Sequence, residues 1–199
     1  MSTGKSTRIG LFVFDACEEL DVVGPYEVLA WWARHLRTDT EVVTFSADGA
    51  GVRCAKGLRL VPDTSADELG PLHVLVYPGG QGTRVLLRDD EHLAWVRRMR
   101  ASTPLMTSVC TGSLVYAAAG LLAGRPATTH RRAFEELAAI DPSVQQDQVA
   151  RFVDDGDVVT SAGVSAGIDM ALHLVARLDS VANARVVRRG IEYDPLPPV

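Results

Sequence analysis

Three short runs along the chain, Arg8 to Phe14 (RIGLFVF), Leu72 to Tyr77 (LHVLVY) and Pro104 to Val109 (PLMTSV), are apolar at most positions and rich in β-branched and aromatic residues. Runs of this kind predict strands covered on both faces, where no polar side is needed. Between them the period changes. From Asp21 to Leu36, the residues Val22, Tyr26, Leu29 and Ala33 recur at the spacing of one helix face, and from Glu91 to Met99 so do Leu93, Val96 and Met99. Strands that alternate with helices predict an α/β fold, a mostly parallel sheet wrapped on both sides.

The remaining segments fit the same plan. Glu41 to Phe45 reads as a further strand, and Val52 to Val61, with Gly57 inside it, as a hairpin beside the sheet. Gly112 to Ala119 is a helix of small residues able to pack tightly under the sheet, with Gly120 and Gly124 marking its end. Arg132 to Ile140 and Ser165 to Leu178 read as helices, and Val149 to Val153 and Val158 to Ser161 as strands about an Asp-Asp-Gly turn. The last residues, IEYDPLPPV, cannot continue a helix through three prolines and are expected to lie extended on the surface. No repeat, linker or low-complexity segment divides the chain. Its 199 residues, 47% hydrophobic and 23% charged, suit a single domain over 1–199 with a sizeable core.

Composition narrows the function. A net charge of −5, from 25 acidic and 20 basic residues spread along the sequence, leaves no electrostatic footprint for nucleic acid or an anionic membrane. The expected partner is a small molecule. The apolar stretches fall well short of the ~20 residues of a membrane-spanning helix, and the start MSTGKSTR lacks the apolar run of a signal peptide. The expected compartment is therefore cytoplasmic. Cys17, Cys54 and Cys110 are odd in number and form no CxxC pair, which argues against a disulfide framework and a zinc site, and no close histidine pair points to a metal. No cofactor is expected.

In an open parallel sheet, ligands bind beyond the carboxyl ends of the strands. Cys110 follows an apolar strand directly and precedes the N-terminus of a helix, where the helix dipole and nearby N–H groups favour the thiolate. This is a nucleophile elbow with sulfur in place of oxygen, although a buried structural cysteine would look the same in sequence. After LHVLVY, the glycines Gly79 and Gly80 in Pro78 to Gly82 read as an oxyanion site or simply a tight turn. Asp21 stands at a helix start, where an aspartate ordinarily caps the helix; partly buried near Cys110, it would instead hold a raised pKa and act as acid or base. Its neighbours Glu18 and Glu19 are expected to be solvated. None of the five histidines adjoins Cys110, which weakens a protease reading, but His130 follows a short strand and is able to approach the site. Cys17 is expected to be a bystander, and Trp31, Trp32 and Trp95 to fill helix-packing positions.

Five stretches together resemble the isonitrile hydratase-like branch of the ThiJ/PfpI superfamily: LDVVGPYEVL (Leu20 to Leu29), VYPGGQGT (Val76 to Thr83), SVCTGSLVYAAAGLLAGRPATTH (Ser108 to His130), TSAGVSAGIDMALHLV (Thr160 to Val175) and IEYDPLPP (Ile191 to Pro198). The resemblance implies a flavodoxin-like three-layer sandwich, a homodimer, and a cysteine that attacks the isonitrile carbon while a carboxylate handles the proton and water releases an N-substituted formamide. By motif these roles fall on Cys110 and Asp21. Thr111 would help position substrate, Asp169 in SAGID would be a supporting aspartate, and N–H groups of Gly80 and Thr111 would receive developing negative charge.

The departures also inform. Protease and amidase branches carry His directly after the cysteine, where this chain has Thr111, and glutamine amidotransferases want Gly where Ser108 stands. Many relatives follow TTH with Trp; here Arg131 follows His130. Superfamily members fused to helix-turn-helix domains exist, but this chain reads as a stand-alone domain. Two other functions stay open: glyoxalase or deglycase action on α-oxoaldehydes, whose enzymes place Glu at the position of Asp21, and a redox sensor or chaperone-like role in which Cys110 is oxidised. Binding without turnover is a third.

Overall fold

The computed structural model describes residues 7–194. Its elements run β1 (Thr7–Phe12), α1 (Glu19–His35), β2 (Thr40–Ser46), β3 (Val52–Arg53), β4 (Arg59–Leu60), β5 (Thr64–Ser65), β6 (Val74–Tyr77), α2 (Thr83–Leu86), α3 (Asp90–Ser102), β7 (Leu105–Val109), α4 (Gly112–Ala118), β8 (Pro126–Ala127), α5 (Phe134–Ile140), β9 (Gln145–Gln146), β10 (Phe152–Asp154), β11 (Val158–Ser161), α6 (Ala166–Leu178) and α7 (Val181–Gly190). Seven strands form one sheet in the order β10-β11-β7-β6-β1-β2-β5, parallel except for β10 against β11. The helices flank it in two groups, α1, α6 and α7 in one and α2 to α5 in the other. This is the three-layer α/β sandwich that the alternation of runs implies.

The central strands are continuous apolar runs because both their faces are covered: every residue of β6 and β7 is buried. Register then decides where the chemistry falls. Tyr77 lies opposite Ser108 on β6 and β7, and Ser161 opposite Val109 on β11 and β7, so these strands end at one level. The segments that leave them converge there. Close packing brings α1 to the same place. A Cβ on Gly24 would meet Ile168 Cγ1 at 2.9 Å, and one on Gly167 would meet Pro25 Cγ at 3.2 Å. The second turn of α1 is thereby held against the start of α6.

Several boundaries differ from the pattern in the sequence. The hairpin is there as β3 and β4, joined through Gly57 at φ +100. The strand read over Val149 to Val153 begins only at Phe152, because Val149 and Ala150 donate their N–H groups to Asp147 Oδ1 in a turn. Helix α7 went unpredicted. It is a short amphipathic helix, capped by Ser180 Oγ accepting from Asn183 N at 3.1 Å, with Ala184 and Val187 turned inward. Tyr193 and Asp194 follow it without regular structure, and the proline-rich remainder of the expected extended tail lies outside the described residues. The tryptophans do pack helices. Trp32 is buried and donates to Asp179 Oδ2 at 2.9 Å, Trp31 stacks on His35, and Trp95 lies on Phe12.

Helix α3 carries a side-chain cap built from Asp89, which does not line the cavity at Cys110. Asp89 Oδ1 accepts from Glu91 N and His92 N at 3.0 and 3.1 Å. Removing such a cap costs about 1 kcal/mol, which lowers the melting temperature by a few degrees in a chain of this size. Asp89→Ala should show that loss by calorimetry while the rate of Cys110 alkylation stays at the wild-type value.

Candidate active site

Cys110 ends β7 and turns straight into α4 with φ +58, in the left-handed region that L-residues seldom enter. Four hydrogen bonds hold it there. Its N–H donates to Ser161 O at 3.1 Å and Ala162 O at 3.3 Å, and its carbonyl accepts from Ser113 Oγ at 3.0 Å and Thr129 Oγ1 at 3.1 Å. The sulfur borders a cavity of about 200 Å³ lined by Glu18, Ala55, Gly80, Gln81, Arg84, Thr111, His130, Arg132, Ala133 and Val164.

Asp21 is not a cap. It is the third residue of α1, whose N-cap position is Glu18, and its side chain is fully buried. The carboxyl accepts from Gly79 N through Oδ2 at 2.9 Å, while Oδ1 is buried with no conventional partner. The Cys110 thiol and the Val164 N–H lie beside this carboxyl. Burial lifts Asp21 from 3.8 to about 7, against the opposing pull of the Gly79 N–H and with a contribution from the charge of Glu18. Burial also pushes the Cys110 thiol up to about 12, helped by the Asp21 charge. The N–H and hydroxyl of Thr111 and the N–H of Val164 pull in the other direction and do not prevail. The expected low-pKa thiolate is therefore corrected: withdrawal from water outweighs the start of the short helix α4.

The expected oxyanion site is also rearranged. Gly79 N–H is taken by Asp21, and Gly80 N–H donates to Thr111 Oγ1 at 2.9 Å. The donors that remain directed at the sulfur are those of Thr111 and Val164. The glycines are required for space. A Cβ on Gly79 would fall 2.5 Å from Thr111 N and 2.9 Å from Asp21 Oδ2, and Gly80 combines φ +122 with a Cβ position 2.4 Å from Ala16 O. The Gly80 carbonyl accepts from Thr83 Oγ1 at 2.7 Å and Arg84 Nη1 at 3.2 Å. The Thr111 hydroxyl stands 3.2 Å from the same carbonyl and also beside the sulfur, so its single proton has two acceptors, the Gly80 oxygen and Cys110.

The other expected residues divide. His130 lines the cavity. Asp169 does not: it accepts from Arg151 Nε at 2.6 Å and Tyr193 OH at 3.0 Å, tying α6 to the chain before β10 and after α7. Glu18 and Glu19 are not solvated, because Lys56 in the hairpin turn pins both; Lys56 N donates to Glu19 Oε1 at 2.6 Å and Nζ pairs with Glu18. Cys17 is fully buried, its thiol pushed up to about 12 by burial and set 3.6 Å from Cys54 Sγ. Arg84, Arg132 and Val164 gave no signal in sequence. Val164 has φ +56, strained for a β-branched residue, and this turn at the start of α6 aims its N–H at the thiol and carboxyl. Among the described residues no group of three metal-ligating side chains gathers.

Comparison with known proteins sets this geometry in a lineage. Residues 7–177 match the model of the DJ-1/PfpI family. The chain belongs to that family. It is 39% identical over 191 residues to an isonitrile hydratase of Pseudomonas putida, covering 96% of this chain and 80% of that one. A glutathione-independent glyoxalase of Caenorhabditis elegans is 28% identical over 90% of this chain and 91% of its own. A crystal structure of a ThiJ/PfpI family protein from Pseudomonas syringae superposes with a TM-score of 0.88 at 33% identity, over 98% of this chain and 78% of that one.

Burial of Asp21 ties its protonation to folding in this family member. With the folded pKa near 7 and the ordinary value 3.8, the protonated form favours the fold. This contribution is complete below pH ~4, is lost as pH rises through ~7, and amounts to roughly 4 kcal/mol. Asn keeps an acceptor for Gly79 N–H and cannot ionise. Asp21→Asn should therefore melt about 8–16 °C above wild type at pH 8, with the difference closing by pH 4. A difference independent of pH would mean that Asp21 ionises as freely in the folded chain as in water.

Proposed function

We propose that the protein is an isonitrile hydratase-like lyase that adds water to an isonitrile through Cys110 and Asp21. The observation that carries this reading is a buried thiol and carboxyl side by side, with the carboxyl near 7. Such a carboxyl is half protonated at neutral pH and able both to take and to return a proton. The 39% identity to an isonitrile hydratase supports the same choice.

In the first step the sulfur attacks the terminal isonitrile carbon as the thiol proton passes to the Asp21 carboxylate. The new C–S bond leaves that carbon carrying a lone pair, which takes the proton from Asp21 and gives a thioimidate. Water then adds to the thioimidate carbon with Asp21 as base, and the nitrogen gains a proton. Collapse of the tetrahedral carbon breaks the C–S bond, releases the N-substituted formamide and returns the proton to sulfur. Thr111 and Val164 N–H groups steady the sulfur as it gains and loses negative charge.

Action on α-oxoaldehydes is the second reading, favoured by the glyoxalase relative. The pattern that speaks for hydration is Asp21 rather than Glu and Thr111 rather than His. A peroxide-sensing role calls for an exposed thiolate, and Cys110 is 6% exposed with its pKa raised, which weighs against it.

We also place the protein in the cytoplasm as a homodimer. Among the described residues no helix is long and apolar enough to cross a membrane. The dimer reading is supported by the exposed apolar side chains of Val23, Tyr26 and Val61, which line one surface groove. Sedimentation velocity should return twice the chain mass of 21.4 kDa for wild type and the single mass for Val61→Glu.

The deciding assay offers an alkyl isonitrile and methylglyoxal side by side. Wild type should release formamide, with kcat/KM rising as pH passes ~7 and the Asp21 carboxylate forms. Cys110→Ala should abolish turnover, and Asp21→Asn should lower it at least ~100-fold and remove the pH dependence. Turnover of methylglyoxal alone would select the second reading, and full activity in Cys110→Ala would exclude both.

A further inference from the structure

The cavity over Cys110 holds a cation that its anions do not use. Three charged side chains line it: Glu18, Arg84 and Arg132. Glu18 is paired with Lys56. Arg84 is held in a two-pronged pair with Glu136, Nε to Oε1 at 3.1 Å and Nη2 to Oε2 at 2.6 Å. Arg132 pairs with no carboxylate among the described residues.

Beside it, His130 Nδ1 accepts from Arg132 N at 3.2 Å, which leaves the ring proton on Nε2 and makes that atom a donor. Burial and the charges of Arg131, Arg132 and Arg84 hold this imidazole below its ordinary pKa, so it donates as a neutral ring. The apolar part of the wall is small. It consists of Ala55, Ala133, Val164 and Gly80, with no large aliphatic or aromatic side chain to receive a bulky alkyl group. A guanidinium fork is the preferred planar partner of a carboxylate.

We propose that Arg132, assisted by His130, is a specificity determinant that selects small substrates bearing a carboxylate close to the carbon attacked by Cys110. The inference rests on the reading that Cys110 attacks an electrophile in this cavity, and it holds whichever electrophile that is. A neutral, bulky isonitrile would gain nothing from Arg132, which is exposed and stays hydrated, and would find little apolar surface. A compact one such as isocyanoacetate satisfies both walls.

Two alkylating probes separate the anion preference from the hydratase chemistry. Iodoacetate and iodoacetamide present the same carbon and leaving group to Cys110: the S–C bond forms, iodide leaves with the C–I electron pair, and the thiol proton is released. The ratio of their rates, iodoacetate over iodoacetamide, should exceed the ratio for free cysteine by about tenfold, the effect of one modest ion pair. Intact mass and peptide mapping assign the modification to Cys110. Arg132→Gln should return the ratio to the free-cysteine value, mainly by slowing iodoacetate, and Arg132→Lys should retain part of it. Arg131→Gln, exposed like Arg132 but outside the cavity wall, should lower the ratio far less than Arg132→Gln does. A wild-type ratio no higher than that of free cysteine, or one that survives Arg132→Gln, overturns the proposal. In parallel, kcat/KM for isocyanoacetate should exceed that for its methyl ester in wild type and not in Arg132→Gln. Equal hydration of both, with no rate preference for iodoacetate, would sink the carboxylate preference and leave the hydratase reading standing. Failure to hydrate either, with the iodoacetate preference intact, would do the reverse.

Discussion

Asp21 and Cys110 are two acids placed together out of water, and a medium that solvates one negative charge poorly solvates two worse. At neutral pH the pair therefore keeps at least one proton between them, and its two ionisations belong to the pair rather than to either residue. Much of the local structure serves this arrangement. Gly79 lacks a Cβ because one would intrude on both the carboxyl and the Thr111 N–H. Gly24 and Gly167 let α1 and α6 approach, which delivers Asp21 and Val164 to the same sulfur. The sheet register brings the exits of β6, β7 and β11 level.

The same neighbourhood concentrates backbone strain. Of four non-glycine residues with positive φ among those described, Ala16, Cys110 and Val164 border the strand exits around the site. Each such residue costs on the order of 1–3 kcal/mol and persists only where surrounding bonds dictate it. For Cys110 these are the four hydrogen bonds to its own N–H and carbonyl, two of them from Ser113 and Thr129. Thr129 thus acts on the cysteine from a distant part of the chain. The TTH stretch is an anchor for the elbow as well as a route to His130.

The sheet and its long helices were legible because their signals are periodic and local. RIGLFVF, LHVLVY and PLMTSV became β1, β6 and β7, and the long amphipathic stretches became α1, α3 and α6. Helix α7 escaped notice although its cap and face are readable: Ser180, then Val181, Ala184 and Val187. The proximity of Asp21 and Cys110 was legible through strand ends and through motif resemblance. What could not be read was the wall. Arg84 in α2, Arg132 before α5 and Val164 before α6 come from three separate parts of the chain whose meeting depends on register and helix packing, and no spacing along the chain encodes that. The roles of Glu18 and Glu19 were misjudged for the same reason, since Lys56 arrives from the hairpin. Asp169 matched a motif, yet its carboxyl serves Arg151 and Tyr193.

The expectation of a standing thiolate failed on magnitude. A helix N-terminus stabilises a charge by about 0.3–1 kcal/mol, and up to ~2 in favourable partly buried geometry. Raising a thiol from 9.0 to about 12 corresponds to roughly 4 kcal/mol in the other direction. Burial therefore wins even with Thr111 and Val164 donating toward the sulfur. The consequence reaches the chemistry. A thiol that reacts only as its proton leaves is slow toward oxidants, which need nothing but an exposed thiolate. It is well matched to a carbon that must receive both a sulfur and a proton, and the isonitrile carbon is such an atom. In the proposed hydration the neighbouring carboxyl, near 7, would take the proton from sulfur and give it to that carbon without either group carrying an isolated buried charge for long.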